Sequence, residues 1–208
     1  MLSGLAAIAA VSIGLGFLVT KVVEHAWGIN AAGEQFNVWL AAHRTPARTE
    51  ASLVGSIIAG GVVLPIVAGV LGLLAAAVRQ WRIAAFVVFV LGVESATYRL
   101  TTLAVHSHRP TVARLENLPV NASYPSGHTA AAIAVYGGLA LLVTSRFTNR
   151  VARVGAWTAV LAVVAFVALA RMYRGMHHPL DVAGGVVVGI AALIVLVFAC
   201  RAAGAAGK

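Results

Sequence analysis

Six apolar runs dominate the chain, at roughly 2–23, 52–78, 82–105, 128–146, 153–172 and 179–200. Each approaches or exceeds the length of about 20 residues that a helix needs to cross the hydrocarbon of a bilayer. Inside that layer no water pairs with a backbone N–H or C=O, so a spanning segment must satisfy its own backbone. The runs therefore predict an all-α, polytopic membrane helix bundle with six transmembrane helices. No soluble domain, repeat or low-complexity linker fits between them, so residues 1–208 read as a single membrane domain.

Composition agrees. The chain is 61% hydrophobic and 10% charged, with a mean hydropathy of +0.93. One soluble core of this size cannot hide that much apolar surface. The formal charge of +9 would suggest nucleic acid in a soluble protein. Here the basic residues are scattered between apolar runs with no cationic stripe, so anionic lipid headgroups are the expected partner and nucleic acid is not. The single Cys200 cannot form an intramolecular disulfide. The first run lacks a basic leader and is followed by Lys21, so it reads as a retained helix rather than a signal peptide.

An even number of spans puts both termini on one side. With termini inside, the inner segments hold Arg79, Arg82, Arg146, Arg150, Arg153, Arg201 and Lys208. The outer segments hold Lys21, Arg44, Arg48, Arg99, Arg109, Arg114, Arg171 and Arg174, seven basic residues against eight. A bare count leaves orientation open. The short inner loops hold no acid, and several outer arginines have a use of their own, so cytoplasmic termini are expected.

Residues 24–50 form the longest polar connection. Phe36, Trp39 and Leu40 fall at helical spacing there, predicting a short interfacial helix after the first span. It serves either as a lipid entrance or as a cover over the bundle. Trp81, between Arg79 and Arg82, reads as an interface anchor. Pro65 predicts a kink in the second span. Glu94 lies deep in the third span, where an acid is costly. It is either paired internally, with Arg99 or an arginine of another span, or concerned with the site.

Three stretches carry chemistry. Tyr124-Pro125-Ser126-Gly127-His128 precedes an apolar run that reads as a helix. A helix start offers unpaired N–H groups and partial positive charge to a phosphate. Ser126 adds a hydroxyl, Gly127 allows close approach, and His128 can carry a proton. Arg109, before the helix-breaking Pro110, offers a planar fork for phosphate oxygens. His106 and His108 flank it, but residues two apart do not share a helix face, which disfavours a metal pair. Residues 111–123 form a polar loop with Arg114, Glu116 and Asn121. The third stretch holds Arg171, His177 and Asp181, the only aspartate in the chain. A carboxylate near a histidine fixes its tautomer. His178 reads as a solvated neighbour. All three stretches fall at outer ends of the predicted spans and so converge on one membrane face.

On these residues the chain resembles the membrane branch of the type 2 phosphatidic acid phosphatase (PAP2) family, which shares its phosphate site with vanadium haloperoxidases. The family pattern is Lys, six residues, Arg-Pro; then Pro-Ser-Gly-His; then Ser-Arg, five residues, His, three residues, Asp. The second motif is complete at 125–128. The third matches at Arg171, His177 and Asp181 with Ala170 replacing serine, and the first at Arg109-Pro110 with Thr102 replacing lysine. Spacing is intact, and the resemblance covers about residues 50–200.

The resemblance implies a lipid phosphatase. His177, neutral and held in place by Asp181, would attack phosphorus and form a phosphohistidine. His128 would protonate the leaving oxygen and later activate water. Arg109, Arg171, Ser126 and Gly127 would bind the phosphoryl oxygens, with Thr102 at the lysine position. His106, His108 or Arg174 could replace the missing cation. No metal or other cofactor is expected: the chain has six acids and they do not cluster. The expected substrate is a lipid phosphate or pyrophosphate at the outer face, with analogy leaning toward undecaprenyl (polyprenyl) pyrophosphate. Phosphatidic acid and phosphatidylglycerol phosphate are the alternatives. Haloperoxidase chemistry on vanadate fits poorly with six spans, and a non-catalytic lipid-phosphate binder or transporter fits poorly with two retained histidines.

Overall fold

A computed structural model describes residues 2–23, 28–146 and 148–205. Lys208, counted above on the inner side, lies outside the described residues, as do residues 24–27 at the start of the polar connection. The described residues form eight helices: α1 (Leu2–Val23), α2 (Ile29–Ala42), α3 (Pro46–Ile58), α4 (Val63–Ala77), α5 (Trp81–Ala104), α6 (Gly127–Arg146), α7 (Arg150–Tyr173) and α8 (Pro179–Ala205). Helices α1, α5, α6, α7 and α8 are each long and apolar enough to cross a bilayer, and α3 with α4 supplies a sixth, bent span. The chain is a multi-pass helical membrane protein. Leu73, Leu103 and Leu161 are each more than two-thirds exposed, which suits side chains facing lipid.

The second span departs from the sequence reading in two ways. It starts earlier, at Pro46, where Thr45 caps the helix by accepting the Arg48 N–H at 3.3 Å. It also breaks before Pro65, at Ala59-Gly60-Gly61-Val62, with a 42° bend. Pro65 falls in the first turn of α4, where its missing N–H leaves no hydrogen bond unmade. The two glycines, with no propensity to hold helix, set the break instead.

The bundle core is apolar and sits toward the end away from the three motif stretches. Ile8, Phe86, Val90, Ala134, Leu193 and Leu196 pack there from α1, α5, α6 and α8. Gly4 of α1 meets Val195 near the end of α8, whereas Gly16 meets Val105 and Tyr124. Both described ends of the chain therefore lie at the end of the bundle opposite Tyr124 and its motif, as an even number of spans requires.

Small residues bring α8 against α6. A Cβ on Gly185 would lie 2.5 Å from the Ser126 carbonyl oxygen, and one on Gly189 would lie 2.7 Å from that of Ala130. In lipid, helices associate through such close contact because burial from water no longer drives them together. Tyr124, 1% exposed, fills the gap between Gly16 and Gly184. Its hydroxyl pKa is pushed up to about 12 by burial and then by Asp181.

This packing carries a test. Gly185→Ala must push α8 from the backbone of the Ser126 turn, at a cost of about 1–3 kcal/mol. The purified variant in detergent should melt about 5 °C lower. An unchanged melting temperature would show that the interface has slack.

Candidate active site

The site is built where α5, α6, α7 and α8 meet the 105–126 loop. Helix α7 ends in a Schellman turn: the Met176 N–H reaches the Arg171 carbonyl, and the Gly175 N–H reaches that of Met172, both at 3.0 Å. Gly175 has φ +70°, which glycine adopts without strain. The turn folds the chain back on itself and delivers His177 into the bundle, 2% exposed.

His177 Nδ1 lies 2.8 Å from the backbone carbonyl of Ser123. A carbonyl only accepts, so Nδ1 carries the proton and Nε2 is left with its lone pair. Asp181 was expected to hold this ring, but its Oδ2 stands 3.9 Å from Nδ1. That oxygen instead accepts the Ser123 hydroxyl at 2.6 Å and the His178 N–H at 2.7 Å. The partner of His177 is thus the peptide oxygen of Ser123, and Asp181 holds Ser123. Burial pushes the His177 pKa well down, and Arg171, Arg109 and His128 push it further. The ring is neutral at pH 7.

The two arginines differ. Arg109 donates from Nε to Pro119 at 2.8 Å, from Nη2 to Ala122 at 2.8 Å, and from Nη1 to the Met176 carbonyl. A guanidinium has five N–H groups, so two remain. Arg171 is fully buried, and its Nη1 contacts Glu116 at 2.7 Å and Ser56 at 2.6 Å. Its Nε and Nη2 have no protein partner. Buried, unpaired guanidinium nitrogens suit an anion with several oxygens.

Glu116 was passed over in the sequence as one polar residue of a loop. It pairs with Arg171 and, at 2.5 Å, with Arg174. Burial alone would raise its pKa, but Arg171 and the bonds from Ser56 and Arg174 bring it down to about 2. The signal available was scarcity: an acid in a chain with six, facing an outer segment rich in arginine. Arg174, considered as a substitute cation, is committed to Glu116, Leu115 and Ser52.

Helix α2 is more than a cover. Asn37, fully buried, donates to the carbonyls of His177 at 3.0 Å and Met172 at 3.3 Å. Glu34 lies 3.0 Å from His178 Nε2. His178 is therefore an ion-pair partner rather than a solvated neighbour. Burial opposes its charge, but Asp181 and Glu34 raise its pKa overall.

His128, Gly127, Arg109 and His177 line one cavity of about 390 Å³, with Arg99, Tyr98, Ser95 and Glu94 of α5 and the Gly60-Gly61 break. Other expected residues lie elsewhere. Thr102 turns its hydroxyl back to the Arg99 carbonyl at 3.0 Å, and His106 and His108 are exposed. Ser126 is fully buried, its hydroxyl 3.0 Å from that of Thr129. Ala170 fills the position of the absent serine against Gly55. Glu94 pairs with no arginine among the described residues; its Oε2 accepts the Ser95 hydroxyl at 3.1 Å.

The two loop histidines make separable contributions to stability. The raised His178 value stabilises the fold below pH 6.5, and that share is lost as pH rises through the folded value. The lowered His177 value stabilises above pH 6.5 and is lost as pH falls. Melting curves of wild type and His178→Gln should therefore differ most at pH 6 and converge toward pH 9. A difference that grows with pH would contradict the Glu34–His178 pairing.

The PAP2 superfamily matches residues 83–203, more than half of the chain. Among curated proteins none matches it in sequence. In fold it is similar to the transmembrane PAP2-type phosphatidylglycerolphosphate phosphatase from Bacillus subtilis, with a TM-score of 0.78 at 21% identity, covering 89% of this chain and 92% of that one. It is also similar to Aquifex aeolicus LpxE, with a TM-score of 0.60 at 19% identity, covering 78% of this chain and 93% of that one. The family match spans the segments that carry His128, His177, Arg109 and Arg171, and the chain belongs to the PAP2 superfamily.

Proposed function

We propose that the chain is a metal-independent lipid phosphatase that works through a phosphohistidine on His177. The observation that carries this reading is the hydrogen bond from His177 Nδ1 to the Ser123 carbonyl, which leaves Nε2 as a neutral nucleophile in a cavity shared with His128. In the first step the Nε2 lone pair attacks phosphorus, and the bond from phosphorus to the lipid oxygen breaks. His128 gives its proton to that leaving oxygen. In the second step His128 takes a proton from water, the water oxygen bonds to phosphorus, and the P–N bond breaks. Inorganic phosphate leaves and His177 is neutral again.

Positive charge comes from Arg171 and Arg109, aimed at the phosphoryl oxygens as they gain charge. Glu116 offsets part of the cost of burying Arg171 and Arg174 and leaves two Arg171 nitrogens for the substrate. Arg99, exposed and lining the cavity, supplies the cation that the motif lysine would give, three residues before Thr102. Among the described residues no group of three or more His, Cys, Asp or Glu side chains is arranged to hold a metal ion.

The site faces outward in this reading, with both termini cytoplasmic. Arg44, Arg109, Arg171 and Arg174 on the site's side are engaged with internal carbonyl or carboxylate partners. Counting only the free basic residues then favours the other side as cytoplasmic. Two substrate classes fit: a polyprenyl pyrophosphate, and a glycerol-based phosphate monoester such as the phosphatidylglycerol phosphate named for the Bacillus subtilis enzyme. Hydrogen-bonding groups on the cavity wall, Ser95 and Tyr98, favour the second.

Phosphate release from purified protein, measured on both lipid classes with and without EDTA, tests the reading. Turnover should survive EDTA and fall at least about 1000-fold in His177→Ala. In the same assay Arg99→Ala should raise KM, and Thr102→Val should change little. Full inhibition by EDTA, or unchanged release by His177→Ala, would sink the mechanism.

A further inference from the structure

Glu94 is the polar group that the phosphoryl chemistry leaves unused. It is 2% exposed, sits mid-helix in α5, and has one carboxyl oxygen, Oε1, without a partner. Its other oxygen takes only the Ser95 hydroxyl. An acid held inside a membrane span with half its hydrogen-bonding capacity unmet is costly, and the helix itself gains nothing from it. Glu94 lines the same cavity as His128 and His177.

Its position along α5 gives the distance scale. Tyr98, one turn further toward the site, packs on the catalytic turn: a Cβ on Gly127 would lie 3.0 Å from its ring. Glu94 therefore stands about 6 Å deeper along the helix axis than the residue touching that turn. Glu94 and His177 line one cavity, so a substrate with its phosphoryl group at His177 and its alcohol directed along α5 runs past Glu94. Leu64, Leu91 and Ala131 line the cavity with it, and the Ser95 hydroxyl is already spent on Glu94 Oε2, so Oε1 is the acceptor left open to a polar group on the alcohol.

We infer that Glu94 is a specificity-determining residue, whose free carboxyl oxygen accepts a hydrogen bond from a hydroxyl on the carbon next to the phosphate ester. The substrate class is then a glycerol-type phosphate monoester, because a polyprenyl chain has no such hydroxyl. This rests on the phosphatase reading and deepens it.

The probe is a matched pair of lipids: 1-acylglycerol 3-phosphate, and the 1-acylpropane-1,3-diol 3-phosphate that lacks only the hydroxyl. Wild type in mixed micelles should favour the first by about tenfold in kcat/KM, the scale of one hydrogen bond in a closed site. Glu94→Leu should bring the ratio near one, mainly by lowering kcat/KM for the hydroxyl-bearing lipid. Glu94→Gln, whose amide oxygen still accepts, should keep most of the preference. If Glu94→Leu does not fold, Glu94→Met takes its place and the same loss of preference is expected. A wild-type ratio near one, or a tenfold ratio that persists in Glu94→Leu, overturns the inference and leaves the phosphatase reading standing. Release of phosphate from neither lipid overturns both.

Discussion

Ser123 ties the site together through two hydrogen bonds that run in opposite directions. Its carbonyl accepts the proton on His177 Nδ1, and its hydroxyl donates to Asp181. The first bond fixes which His177 nitrogen keeps its lone pair. The second anchors the loop before α6 to the start of α8, where the Ser126 N–H also meets the Asp181 carbonyl at 2.8 Å. The Tyr124 ring, wedged between glycines of α1 and α8, holds the same segment from behind. The geometry of His177 is thus set by backbone and packing, and a carboxylate acts on it one step removed.

The second constraint is electrostatic. Burying guanidinium groups at a membrane face is costly unless acids and carbonyls meet them. Arg109 is met by three carbonyls and Arg174 by Glu116. Arg171 is met on one nitrogen only. The arrangement concentrates unmatched donor capacity at one place, beside a neutral histidine. Helix α2 completes the frame from outside the bundle, since Asn37 pins the His177 carbonyl and Glu34 holds His178.

Much of the fold was legible in the sequence because a bilayer imposes one length and one polarity on each span. The short helix after the first span was legible from the spacing of Phe36, Trp39 and Leu40. The break at Gly60-Gly61 was not, because proline is the stronger breaker and Pro65 stood nearby, harmless in a first turn. At the candidate site, motif spacing pointed to His128, His177 and Arg109, which the fold brings to one cavity, and to Arg171. It could not find partners supplied by backbone: the Ser123 carbonyl leaves no mark in residue type. Glu116 and Asn37 come from segments distant in sequence, and only the folded chain brings them to the motifs. Thr102 was read through a position in a pattern, whereas the cavity is reached by Arg99, one turn earlier on α5.

The central claim is that His177 Nε2 becomes covalently phosphorylated. Rapid quench of the enzyme with a ³²P-labelled lipid phosphate, followed by peptide mapping, tests it most directly. The account predicts label on His177 that survives alkali, is lost in acid, and disappears in His177→Ala. Steady release of phosphate with no label on His177 at any quench time would contradict it, because water would then be attacking the lipid directly.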